Sequence, residues 1–222
     1  MKKQLLLLVV TVSSLYSSAQ ITPQFSVKAG LASSGIRGEA ASNLNNLLDF
    51  TDGMVTTQNR TGFFAGVSVG IPLNAQITVE PGIYYTQKGY ELRGELGLKG
   101  IEFLGANASA RLQSDYIDVP ILLKANLGGG LKIFAGPQVS YLASSNLKTS
   151  AGLLGFNLFT SSIDAGNQFN KWDLGVTGGI SYEFKNGFSV SGAYDHGLTR
   201  IDANNRVNGY NNSIKVGVGI RF

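Results

Sequence analysis

The chain has 222 residues, no cysteine, 29 glycines and a formal net charge of +4. The lack of cysteine excludes a disulfide-stapled scaffold, and so small a charge gives no footprint for nucleic acid. About two hundred residues after a leader suit one β domain.

The amino-terminus opens with Lys2 and Lys3, followed by an apolar run from Leu5 to Val12 and by the small residues Ser17-Ser18-Ala19. This order predicts a secretory signal peptide over 1–19, cut after Ala19, leaving 20–222 as the mature domain. The run is too short to span a membrane as a helix, and no second long apolar run follows, so a helical membrane protein is excluded.

From there the hydrophobicity has period two, the signature of strands whose side chains alternate between faces. Phe25, Val27, Ala29 and Leu31 alternate with Ser26, Lys28, Gly30 and Ala32. Phe63 to Ile71, Ile77 to Tyr85, Ile117 to Ala125 and Leu131 to Tyr141 repeat the pattern. Leu174 to Phe184 and Phe188 to Tyr194 follow, and Lys215 to Phe222 closes the series, about eight strands of membrane-crossing length. Short connections at Pro72-Leu73-Asn74, Leu127 to Gly130 and Lys185-Asn186-Gly187 take turns with long ones at 37–60, 94–110, 146–169 and 201–209. Asn-Gly is a hairpin signal, and short turns on one side with long loops on the other is the outer-membrane pattern. The expectation is an all-β, closed, antiparallel, eight-stranded up-and-down transmembrane β-barrel. It is a monomer in the cell outer membrane, with short periplasmic turns and long extracellular loops.

A soluble barrel would turn the apolar face inward and leave a sparse, Gly-rich face to solvent. In a membrane barrel the apolar face meets lipid. The inner face then carries Lys28, Glu80, Lys88, Asp118, Lys124, Lys132, Asp173, Glu183, Asp195, Lys215 and Arg221. Both signs are present, so these charges can pair where unpaired burial would be costly. An eight-stranded barrel is only wide enough to be filled by side chains, which favours a packed polar core over a channel.

The last strand places Lys215, Gly217, Ile220 and the terminal Phe222 in the order polar-x-Gly-x-x-apolar-x-aromatic. This resembles the terminal signal by which outer-membrane barrels are handed to their assembly machinery.

Other motifs carry less. His196, the single histidine, adjoins Asp195 near the outer end of the seventh strand, but strand neighbours face opposite ways, so the two do not form a base with its orienter. Gly128-Gly129-Gly130 lacks the Lys-Ser/Thr and the helix of a phosphate loop and reads as a turn. Asn59-Arg60-Thr61 and Asn107-Ala108-Ser109 match a glycosylation pattern that a bacterial barrel does not use. No metal-ligand spacing and no cofactor motif is present. In the long loops, Leu44, Leu47 and Leu48 behind Ser42 predict a short surface helix. The segment from Leu153 to Phe159 is too apolar for a solvated loop. Extending the strands above the membrane fits its alternation best; capping the barrel or binding a partner are the alternatives.

Six stretches together resemble the PorT-like family of small bacterial outer-membrane β-barrels. They are Phe25–Leu31 (FSVKAGL), Gly62–Val67 (GFFAGV), Glu80–Gly89 (EPGIYYTQKG), Tyr116–Lys124 (YIDVPILLK), Phe134–Val139 (FAGPQV) and Tyr194–Thr199 (YDHGLT). The resemblance implies an outer-membrane barrel in a family whose functions are mostly unassigned. Its namesake supports protein secretion, a role that does not transfer on motifs describing the barrel itself. The expected function is therefore a non-enzymatic structural or interaction role. Expected partners are outer-membrane lipid, the barrel assembly machinery, and a surface or secretion partner met through loops 37–60 and 146–169. A narrow pore for small solutes is the alternative, and a membrane-embedded hydrolase or acyltransferase the third reading.

Overall fold

The structure, a computed structural model, describes residues 22–39, 55–96, 106–153, 156–164, 166–202 and 208–222. The predicted signal peptide and the predicted helix at 42–50 lie outside the described residues.

Nine strands form one sheet: β1 (Gln24–Arg37), β2 (Val55–Pro72), β3 (Ile77–Leu96), β4 (Ala106–Gly128), β5 (Leu131–Leu153), β6 (Phe156–Asp164), β7 (Trp172–Glu183), β8 (Phe188–Gly197) and β9 (Tyr210–Arg221). Eight of them close a ring in the order β1-β2-β3-β4-β5-β7-β8-β9, with β9 returning to β1. All ring pairs are antiparallel. Closure pairs the backbone all round, which is the condition for crossing a bilayer with strands. Followed once round the ring, the register leaves β1 at Gln24 and returns to it at Ser34, a stagger of about ten residues. Such a stagger tilts the strands by about 40°.

β6 is not part of the ring. It pairs with the outer half of β5, from Asn146↔Asp164 to Leu153↔Phe156. This corrects the sequence-based loop bounds. Residues 146–153 continue β5, 156–164 form β6, 55–60 begin β2, and 94–96 and 106–110 belong to β3 and β4. β4 and β5 each run 23 residues, whereas β8 has 10 and β9 12. A tilted strand needs roughly 9–11 residues to cross the hydrocarbon. The ring is therefore level at the periplasmic rim and tall on one side above the membrane.

The lipid face has the expected composition. Val27, Leu31, Val67, Ile83, Ile121, Ile133, Val176, Val190, Val216 and Val218 are exposed on the outside of the ring. Aromatic rings mark both ends of this band. Tyr182, Phe184 and Phe188 stack at 4.9 and 5.8 Å near the periplasmic turns. Phe63 with Tyr85, and Tyr141 with Trp172, stack at 5.5 and 5.0 Å at the other end. Tyr and Trp suit this depth because one end of each ring is apolar and the other polar.

At the turn between β4 and β5, Gly128, Gly129 and Gly130 all have positive φ (96°, 61° and 90°), which explains a glycine run there without a phosphate role. Inside the ring, glycine makes room for aromatic rings. A Cβ on Gly217 would lie 2.6 Å from the Phe64 ring, and one on Gly66 2.5 Å from the Tyr84 ring. Phe64 and Tyr84 are thereby buried within the barrel.

Candidate functional site

Inward positions of the strands build the barrel's polar interior in layers. At mid-height, β3 brings Lys88, β4 Asp118, β8 Asp195 and β9 Lys215. Lys88 and Lys215 each approach Asp118 at 3.0 Å, and Lys215 also reaches Asp195 at 2.6 Å. Asp118 is fully buried. Ser140 accepts a further hydrogen bond from Lys88 at 3.3 Å, and the Lys88 ammonium sits 4.6 Å over the Tyr116 ring. Tyr84, Tyr116, Leu122 and Leu142 are buried around this network. Such a net can be stable because every charge has an opposite neighbour at contact distance.

Towards the periplasm the ion pairs fall into two triads. Glu80 is held between Lys28 and Lys124, each at 2.5 Å, and accepts from Ser68 at 3.0 Å. Glu183 is held between Lys132 and Arg221, each at 2.7 Å. Arg221 also donates to Gln24 at 2.9 Å. The triads surround a cavity of about 90 Å³, lined also by Phe64, Tyr84, Leu122 and Phe134 and by Asp195 and Lys215 of the middle layer.

Asp173 lies above the middle layer, where Asn211 donates to it at 2.8 Å. Thus the structure gathers ten of the eleven inner charges into ion pairs, while Asp173 is held by an amide. Sequence reasoning had no means of naming these partners, since Lys28 and Glu80 are 52 positions apart and Lys215 and Asp118 are 97 apart.

His196 and Asp195 face opposite sides of β8. The His196 ring lies 6.0 Å from the Tyr194 ring on the outside, while Asp195 is buried against Lys215. No general base with its orienter exists at this pair. Among the described residues no group of three or more His, Asp or Glu side chains is placed to hold a metal.

The segment of sheet above the membrane has its own chemistry. Just beyond the outer aromatic ring, Asp115 accepts from Tyr85 and Ser144, both at 2.8 Å, so the outward face turns polar here. Higher up, Arg111 pairs with Glu91 at 2.8 Å. Ser114 and Ser145 bond at 2.9 Å on the inner side. Phe159 and Ile163 of β6 are exposed. On the low side, Asn170 donates its N–H to the Ile201 carbonyl at 2.9 Å, and Ile201 in turn donates to Gly209. Phe169 bridges to Asp202. Sequence reasoning found the strand extension at Leu153 to Phe159 from its alternation but missed the rest of this rim.

At the carboxy-terminus, Lys215 is buried in the middle layer and Gly217 lies under Phe64. Ile220 and Phe222 are exposed, and the Phe222 N–H donates to the Phe25 carbonyl at 2.9 Å.

Among solved structures, the chain is similar to Ail, the attachment invasion locus protein of Yersinia pestis. The identity is 14%, over 90% of this chain and 98% of that one, with a TM-score of 0.47. It is also similar to Neisserial surface protein A (15%, 89% and 97%, 0.43). OprG from Pseudomonas aeruginosa gives 14%, 91% and 97%, and 0.42. No curated protein matches it significantly. The family described as the outer membrane protein beta-barrel domain matches residues 17–203. That match takes in all the ring strands except β9, which completes the ring by pairing with β1 and β8. With its lipid-facing apolar band and ion-paired interior, the chain belongs to this family and is an integral β-barrel of the outer membrane.

Proposed function

We propose that this barrel is non-enzymatic and works by presenting the part of its sheet above the membrane to a surface or secretion partner. The supporting observation is the asymmetry of the ring. β2 to β5 run well past membrane-spanning length, and β6 adds a strand to them with Phe159 and Ile163 exposed. The lower strands are committed to lipid outside and to ion pairs inside, which leaves little surface free for recognition. Photo-crosslinkers at positions 159 and 163, installed in intact cells, should capture one discrete partner that a crosslinker at lipid-facing position 218 does not. Adducts no different from those at 218 would refute the reading.

The pore reading meets the buried Lys88–Asp118–Lys215–Asp195 layer, which stands between the periplasmic cavity and the outer rim. The purified barrel should be silent in planar bilayers. A hydrolase or acyltransferase would need a base, and the opposed faces of His196 and Asp195 do not supply one.

Maturation belongs to the same proposal. Residues 1–19 direct export and are removed, and Lys215, Gly217, Ile220 and Phe222 are read by the barrel assembly machinery. Deleting Phe222 should lower the amount in the outer membrane and raise periplasmic degradation. Unchanged insertion of the shortened chain would remove the signal from the proposal.

A further inference from the structure

The two periplasmic triads have a charge arrangement that their separate ion pairs do not reveal. Taken round the ring, the inner charges run Lys28 on β1, Glu80 on β3, Lys124 on β4, Lys132 on β5, Glu183 on β7 and Arg221 on β9. Each carboxylate reaches one of its cations across a strand that offers only small side chains there, Ser68 on β2 and Ser189 on β8. The register then fixes where the triads meet. Lys124 pairs with Phe134 and Lys132 with Asn126, so the two lysines are diagonal neighbours on the inner face of β4 and β5. Lys28 pairs with Gly219 and Arg221 with Ser26, so these two are diagonal neighbours across β1 and β9. Diagonal neighbours lie about 7–8 Å apart.

The ring therefore has two seams at which cation-bearing positions adjoin with no carboxylate-bearing strand between them. Four cations share two carboxylates, and among the described residues they pair with no other acid. The excess of two positive charges lines a cavity of about 90 Å³ that reaches inward to the Lys215–Asp195 pair. The like charges crowd most closely at Glu80, where Lys28 and Lys124 both press on one carboxylate at 2.5 Å; in a partly dehydrated cup they repel, and a bound anion would relieve that repulsion. The deeper Lys88–Asp118–Lys215–Asp195 layer, with two of each sign, needs no such ligand.

We propose that this ring is an oxyanion site open to the periplasm, and that it takes a small phosphate-class dianion whose charge matches the excess of two. The oxygens of the anion accept from the ammonium and guanidinium groups at the seams, while Glu80 and Glu183 hold the cations apart and oriented. The site faces the periplasm and is independent of any partner bound above the membrane.

The test uses the refolded mature barrel in detergent, in chloride buffer, titrated with inorganic phosphate by calorimetry and by 31P line broadening. Saturable binding of one phosphate per barrel is expected. Lys124→Gln and Lys132→Gln should each weaken it at least tenfold, and Glu183→Gln, which adds to the positive excess, should tighten it. Asp115→Asn, on the outer surface, should leave it unchanged. Absence of saturable binding to the wild-type protein overturns the proposal without recourse to any variant. So does binding that survives Lys124→Gln and Lys132→Gln in chains whose mobility on unboiled gels shows them folded.

Discussion

The middle of the barrel and its periplasmic end use the same side chains to different effect. At mid-height two lysines meet two aspartates, all buried and matched in sign, while Asp173 beside them is held by the Asn211 amide. At the periplasmic end four cations meet two glutamates around an open cavity. Side-chain exposure is 1–10% in the middle layer, 6–17% in the Glu80 triad and 17–33% in the Glu183 triad, so the mouth opens on the Glu183 side. Depth sets the stoichiometry. Where water is excluded an unmatched charge costs several kcal/mol, whereas near the mouth hydration tolerates an excess. The balanced layer therefore works as a plug, and the unbalanced one as a cup.

The sharpest way to break this contrast is Asp118→Asn. It leaves Lys88 and Lys215 without their shared partner in the driest part of the barrel and should cost about 3–5 kcal/mol in equilibrium unfolding. A loss below about 1 kcal/mol would mean that the middle layer is hydrated like the mouth.

The next largest effect tests the wall that separates both layers from lipid. Val218→Arg places a charge in the apolar band and should cost about 2–4 kcal/mol. Its neighbour Gly217 faces inward, where a Cβ would meet the Phe64 ring at 2.6 Å and the Ala29 carbonyl at 2.8 Å. Gly217→Val should therefore destabilise through overpacking, by about 1–3 kcal/mol. If position 217 accepts bulk and 218 accepts charge, the two faces are reversed.

A smaller change sharpens the other side of the comparison. Glu183→Gln removes the carboxylate from a partly hydrated triad and should cost only about 1 kcal/mol, measured in the same unfolding assay. A cost equal to that of Asp118→Asn would abolish the gradient of depth.

The least disruptive test fixes which end is which. The register puts Ser150 between Ser109 of β4 and Thr160 of β6, so an insertion there would break two ladders. A tag between Leu153 and Phe156, at the hairpin linking β5 to β6, should be tolerated and reached by antibody on intact cells. A tag at Asn186-Gly187, in the tight turn between β7 and β8, should be hidden and should impair folding. Labelling of the second but not the first would turn the cup outward.

Within the membrane band, strands and their faces were legible in the sequence because lipid and ion-paired interior impose opposite chemistry on alternate residues. Phe25 to Leu31 and Lys215 to Phe222 can be read in only one way. Above the band that contrast disappears. Arg111 and Asp115 face outward while Ser114 and Ser145 face inward, polar on both sides, so β3, β4 and β5 looked like loops beyond their membrane spans. The exception is Leu153 to Phe159, whose alternation pointed to strands extended above the membrane, and the start of β6 lies there.

Sequence alone thus determined the fold class, the compartment and the inner or outer assignment of the spanning residues, because those depend on period two and on the solvent each face meets. Tertiary structure decided which charges are partners. Ring closure with a stagger of about ten residues sets Lys28 against Glu80 and Lys215 against Asp118, and brings cation-bearing positions side by side at two seams. Those distances depend on register summed around the whole barrel, and no local pattern encodes that sum.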